Sequence, residues 1–152
     1  VEEIIAALKE YDVDSFTELV FCGYGEPTIR IDELIAAAKW VKENYKVKTR
    51  INTNGHGSEF HGRDITPLFD GVIDTVSVSL NAASAEEYDK TCKSIYGIRA
   101  YEIMLDFAKK AKAHTDVVLS IVDVLPPEEI EACRKIAAEA GVRLKVREYV
   151  EE

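Results

Sequence analysis

The chain has 152 residues, 47% hydrophobic and 31% charged, with 19 Lys+Arg against 28 Asp+Glu for a net charge of −9. That is roughly one domain of ordinary globular composition. No apolar run nears the ~20 residues that span a bilayer, and so acidic a domain is a poor general partner for nucleic acid or a membrane surface.

In chain order, Val1 to Tyr11 reads as a helix with Ile4, Ile5 and Leu8 on one face. Leu19 to Cys22 is a short buried strand before a Gly-rich break, and Asp32 is placed to cap a helix running to about Tyr45. Lys48 to Thr53 is a strand closed by Asn54-Gly55, Asp64 to Phe69 a short helix, and Asp74 to Leu80 the third strand. Ser84 opens a capping box with Glu87, starting a helix to about Ser94, and a second helix covers Ala100 to Ala113. Asp116 to Val122 is the fourth strand. Glu128 to Ala140 is a helix begun at Pro126-Pro127 and ended by Gly141, and Leu144 to Val150 is the last strand.

Strict alternation of helix and strand predicts a parallel sheet with right-handed crossovers. The near-continuous apolar strands suggest that both faces are covered. Residues 1–152 read as a single domain, either an open doubly wound sheet or part of a β/α barrel. In both, ligands sit beyond the carboxyl ends of the strands.

The first strand is followed by Gly23-Tyr24-Gly25-Glu26-Pro27-Thr28, a sharp turn that either only connects the elements or lets a ligand approach the backbone. It lacks the third glycine of a dinucleotide fingerprint and the Gly-Lys-Ser/Thr of a P-loop. His56 and His61 beyond the second strand are a candidate metal pair or plain loop histidines. On the third strand Ser77, Ser79 and Asn81 alternate with apolar residues, so all three fall on one face. They form either a buried hydrogen-bonded network or a set of partners for the hydroxyls of a sugar. Arg147 near the last strand's end suits a carboxylate, a phosphate or an ion pair. Cys22, Cys92 and Cys133 fall on a strand and two helices and read as small buried apolar residues. Three cysteines at wide spacing make no disulfide framework, which fits a reduced, cytoplasmic setting. Trp40 and the tyrosines show no aromatic–basic interleaving of a nucleic-acid sheet. Val1-Glu2-Glu3 does not open a signal peptide, and Met104 is the single methionine, so the expectation is an internal piece of a longer product.

Taken in order, Phe21-Cys22-Gly23-Tyr24-Gly25-Glu26-Pro27-Thr28, Thr53-Asn54-Gly55 and Val76-Ser77-Val78-Ser79-Leu80-Asn81 resemble the strand-end motifs of the radical S-adenosylmethionine (radical SAM) superfamily. Arg50 to Gly57 and Lys145 to Tyr149 are most similar to its TatD-associated branch. The resemblance implies an incomplete (β/α)6 TIM-like barrel, with the five strands as its strands two to six. It implies SAM as cofactor and, in the full-length protein, a [4Fe–4S] cluster that cleaves SAM to a 5′-deoxyadenosyl radical.

By matched position, the turn Gly23, Tyr24, Gly25, Glu26 and Pro27 would offer carbonyls to the SAM ammonium, with Glu26 bracing the turn or adding charge. Thr53 and Asn54 would line the methionine side. Ser79, Asn81 and, deeper, Ser77 would bind the ribose. Ile121 or Val122 would pack on adenine, and Arg147 would meet the SAM carboxylate or a substrate. No CxxxCxxC occurs in the sequence, so no metal ligands and no catalytic residue are assigned, and this piece alone is expected to be inactive. The substrate, small molecule or otherwise, is not legible.

Two alternatives remain at this point: a non-enzymatic SAM-binding or interaction module of the same fold, and an unrelated barrel enzyme acting on a phosphorylated substrate. With the family's first strand absent, the strand around Leu19 to Cys22 is expected to form a sheet edge that pairs with a second chain or is covered.

Overall fold

Five strands, β1 (Glu18–Phe21), β2 (Lys48–Thr53), β3 (Thr75–Ser79), β4 (Asp116–Val122) and β5 (Arg143–Arg147), pair in parallel in the spatial order β1-β2-β3-β4-β5. This is a computed structural model, and it describes residues 1–22 and 25–148. The order has no switch point of the kind that defines a doubly wound sheet. Consecutive right-handed crossovers place the helices on one side of the sheet. The winding is therefore that of a partial TIM-like barrel, and the doubly wound alternative falls away.

The helices are α1 (Glu2–Leu8), α2 (Ile31–Asn44), α3 (Gly57–His61), α4 (Ala85–Cys92), α5 (Ala100–Ala111) and α6 (Pro127–Ala140). Their starts and stops follow local chemistry. The Ser84 hydroxyl accepts from the Glu87 N–H at 3.2 Å to cap α4, and α6 ends at Gly141 with φ +74°. Helix α2 grows out of a 3₁₀ turn at Pro27–Arg30, so Asp32 lies in its first turn and is not its cap.

The sheet is two-faced. Ile51, Val76, Val78, Val117, Leu119 and Ile121 face the helices and pack against Ile35 and Ala38 of α2, Met104 and Phe107 of α5 and Cys133 of α6. Each large side chain so buried contributes about 1.5–3 kcal/mol. The alternate residues carry the polar chemistry, so the expectation of apolar cover on both faces is corrected: the inner face is polar. At the amino ends of the strands Asp74 accepts from the Thr49 N–H at 2.8 Å and pairs with Lys42, tying α2, β2 and β3 together.

Two further expectations change. Cys22 lies past the end of β1 and is exposed, and Cys92 is half-buried, so of the three cysteines Cys133 alone is a buried apolar one. The stretch from Gly57 to His61, read as loop, forms α3, while the helix expected over Asp64 to Phe69 shrinks to a 3₁₀ turn at Thr66–Phe69. The expected strand residues Tyr149 and Val150 lie outside the described residues, as do Gly23 and Tyr24 of the turn.

Candidate functional site

At the carboxyl ends of β1 and β2 a single carboxylate organises the chain. Glu26 Oε2 accepts from the Thr28 N–H at 3.1 Å, from the Thr28 hydroxyl, and from the Thr53 hydroxyl at 2.5 Å; Oε1 accepts from the Asn54 N–H at 2.8 Å. Charge-assisted bonds of this kind are the stronger class. Thr53 Oγ1 also accepts from the Gly55 N–H at 3.1 Å, and Asn54 Oδ1 accepts from the His56 N–H at 2.9 Å. The turn after β1 and the turn after β2 thus share one hydrogen-bonded hub. Gly25 in the first turn has φ +85° and Gly55 in the second +81°, conformations that favour glycine. Of the two roles open to Glu26, the geometry supports bracing. Thr53 is buried and acts through Glu26.

Helix α3 locks the hub from outside. His61 Nε2 lies 2.8 Å from the Thr28 carbonyl oxygen. A Cβ on Gly57 would come within 2.7 Å of Thr28 Cβ and 2.9 Å of Ile65 Cδ1, so this contact requires glycine. His56 turns the other way: it is buried, with Nε2 2.9 Å from the Tyr88 hydroxyl, and meets the Tyr96 ring edge-on at 5.6 Å. Desolvation lowers its pKa below the ordinary 6.5, although the Ala100 backbone and the Glu26 charge favour the protonated form. The two histidines therefore have separate protein partners and do not form a pair. Beside the hub an apolar cleft of about 220 Å³ is lined by Ile29, Asn54, His56, Phe60, Ile95 and Tyr96.

The inner face of the sheet supplies a second element. Arg50, Asn52, Ser77, Ser79, Ser120, Lys145 and Arg147 surround a cavity of about 160 Å³. The register explains the grouping: Asn52 pairs with Ser77, Ser79 with Ser120, and Ser120 with Lys145, so period-2 alternation stacks them on one face. The hydroxyls of Ser77, Ser79 and Ser120 bond to no other side chain or backbone group among the described residues.

The structure brings together Ser77, Ser79 and Arg147, and separately Gly25, Glu26, Pro27, Thr53 and Asn54. Asn81 departs from its stripe: it follows the strand with φ +64°, and its amide donates to Cys92 Sγ at 3.7 Å. Ile121 faces the helix-side core, fully buried, so Val122, next on the strand, is the one on the inner face. Arg50, Asn52, Ser120 and Lys145 were missed as a group. Their signal was the same alternation read across β2, β4 and β5 in register, which no single strand displays.

Polar side chains and a braced Gly-rich turn meet at the carboxyl ends of barrel-type strands, where folds of this winding place their ligands. The sequence model of the radical SAM superfamily matches residues 1–140. The chain belongs to the radical SAM superfamily. No curated protein matches it. Radical SAM proteins typically pair SAM with a [4Fe–4S] cluster, and the described cysteines do not fit the cluster. Cys22 is exposed at the end of β1, Cys92 ends α4 and Cys133 is buried in α6. Among the described residues no group of three His, Cys, Asp or Glu side chains is arranged to hold a metal. Among the described residues the inner face offers hydroxyls with no protein partner, chemistry that suits a ligand rich in hydroxyls and nitrogens such as SAM. Among the described residues no helix is long and apolar enough to cross a membrane.

Proposed function

We propose that this chain is the SAM-holding part of a radical SAM enzyme, with the cluster ligands supplied from outside these residues. Its supporting observation is the pairing of the Glu26-braced turn with the free hydroxyls of Ser77 and Ser79 on the adjoining face. In this reading Glu26 and Thr53 are positioning residues. They hold the backbone of the turn through Gly25 and Pro27 so that its carbonyls meet the SAM ammonium; Gly23 and Tyr24, assigned to the same role, lie outside the described residues. Asn54 and the apolar cleft take the methionine side, Ser79 and Ser77 the ribose, and Val122 the adenine. Asn81 reaches the ribose only by giving up its bond to Cys92. Arg147 meets a carboxylate of SAM or of the substrate. SAM cleavage at a cluster would supply the radical chemistry; this chain's own work is to bind and orient. Alone it is inactive, and the enzyme acts in the cytoplasm.

The test is a titration of the chain with SAM, followed by backbone amide NMR. The expected result is weak binding with shifts at Gly25 to Thr28, Asn54 and Ser77 to Ser79, reduced by Ser79→Val. Shifts confined to other surfaces, or tight binding untouched by Ser79→Val, would overturn the reading.

A further inference from the structure

The inner-face cavity gathers cations in a chain whose net charge is −9. Arg50 sits on one side, where its guanidinium reaches Glu18 at 3.3 Å. Its Nε is buried with no hydrogen-bond partner among the described residues, a donor that folding alone leaves unmatched. Lys145 and Arg147 sit on the other side, on β5, with no ion-pair partner among the described residues. Among the described residues Glu18 is the one carboxylate paired with these three cations, so there the cations outnumber their partners. Between them lie the hydroxyls of Ser77 and Ser120, and Ser120 is only 3% exposed.

The cavity runs down the sheet from the SAM-facing end, where Ser79, Ser120 and Lys145 stand in register, to Arg50 at its foot. Arg50 pairs in register with Thr75, the first residue of β3, while Asn54 lies four residues further along the chain. At about 3.3 Å per strand residue, that is roughly 13 Å down the sheet.

We propose that the cavity is a subsite for an oxyanion, phosphate or carboxylate, carried by the molecule on which the enzyme acts. Arg50 and Lys145 read its charge from opposite sides, and Ser120 donates to a remaining oxygen. The planar guanidinium and the ammonium together match a compact anion with several acceptor oxygens. Assigning the anion to the substrate rests on the SAM reading above; the existence of the anion site does not.

The experiment titrates the chain with inorganic phosphate and, separately, with succinate. Backbone amides are followed by NMR, and each titration is repeated in excess SAM. Expected are shifts at Ser120 and Lys145 with a dissociation constant on the order of millimolar, weakened about tenfold by Lys145→Ser. Arg134→Ser, on the exposed face of α6, should leave the affinity unchanged. The tighter of the two anions names the class. Absence of shifts at these residues, or equal affinity in Lys145→Ser, overturns the proposal. Displacement of phosphate by SAM also overturns it, because the cavity then belongs to SAM's own carboxylate. Phosphate binding without SAM binding sinks the SAM reading and leaves the anion site standing.

Discussion

Glu26 joins two turns that are far apart in sequence, so its removal should be felt at both. In Glu26→Gln the amide keeps the shape but loses the charge, and its NH₂ faces donors where the carboxylate accepted. The expected cost is about 1–3 kcal/mol of stability, measured by urea unfolding, with weaker SAM binding alongside; a variant as stable as the parent would contradict the bracing role. His56 makes a prediction in pH. Its folded pKa lies below its ordinary 6.5 because burial disfavours the charged ring. Below pH 6.5 the unfolded chain therefore binds the proton more readily, and stability falls as pH drops toward the folded pKa. Asp74 acts lower. Burial raises its pKa, but hydrogen bonds from Lys42 and Thr49 outweigh this and hold it below 3.8, so its contribution is lost only in stronger acid. Thermal melts should show a decline beginning under pH 6.5 that His56→Gln flattens while the acid step remains. An unchanged slope in the variant would remove His56 from the account.

At the scale of elements, α3 and the 3₁₀ turn at Pro27–Arg30 meet at Gly57. Gly57→Ala must push them apart, and a cost of about 1–3 kcal/mol is expected from overpacking, together with NMR shifts at Thr28 and Glu26; a silent substitution would mean that α3 does not set the turn. The two edges of the sheet differ. Arg143, Lys145 and Arg147 line β5 with charge, which opposes strand addition, whereas β1 presents Glu18-Leu19-Val20-Phe21 and pairs on one side only among the described residues. We propose that the chain self-associates through β1. Light scattering should show a concentration-dependent dimer that Val20→Lys dissolves, and a monomer at every concentration would refute it. The same elements show what sequence can carry. β2 and β4 were legible to the residue, because β2 alternates the β-branched Thr49, Ile51 and Thr53 and stops at Asn54-Gly55, while β4 after Asp116 is a run of Val, Leu and Ile broken only by Ser120. Helix α3 was not, because a five-residue segment opening on glycine has no helical preference of its own and is held by contacts with Thr28 and Ile65. In the site, the Gly25–Thr28 turn and the Ser77–Ser79 stripe were visible locally. The inner-face cavity was not, since it exists only once β2, β3, β4 and β5 stand in register.

Across the whole molecule, burial is uneven, and stability should follow it. β3 and β4 lie mid-sheet, with Val76, Val78, Leu119 and Ile121 fully buried against α5 and α6. Helix α1 has no buried residue, and Leu8 packs only at the margin of a small second cluster around Val13, Val41 and Val47. An element with little apolar area removed from water opens at low free-energy cost, whereas strands in the main core exchange only through global unfolding. Native-state hydrogen exchange should therefore rank α1 fastest, β1 and β5 at the edges next, and β3 with β4 slowest. The candidate site spans this gradient. Ser77, Ser79 and Ser120 stand on the slow strands, whereas the Gly25–Thr28 turn hangs from an edge strand and depends on Glu26 for its order. Glu26→Gln should then raise exchange at Thr28, Asn54 and Gly55, whose N–H groups bond to Glu26 or to Thr53, and leave β4 as protected as before. Uniform loss of protection across the sheet would show instead that the hub belongs to the global core.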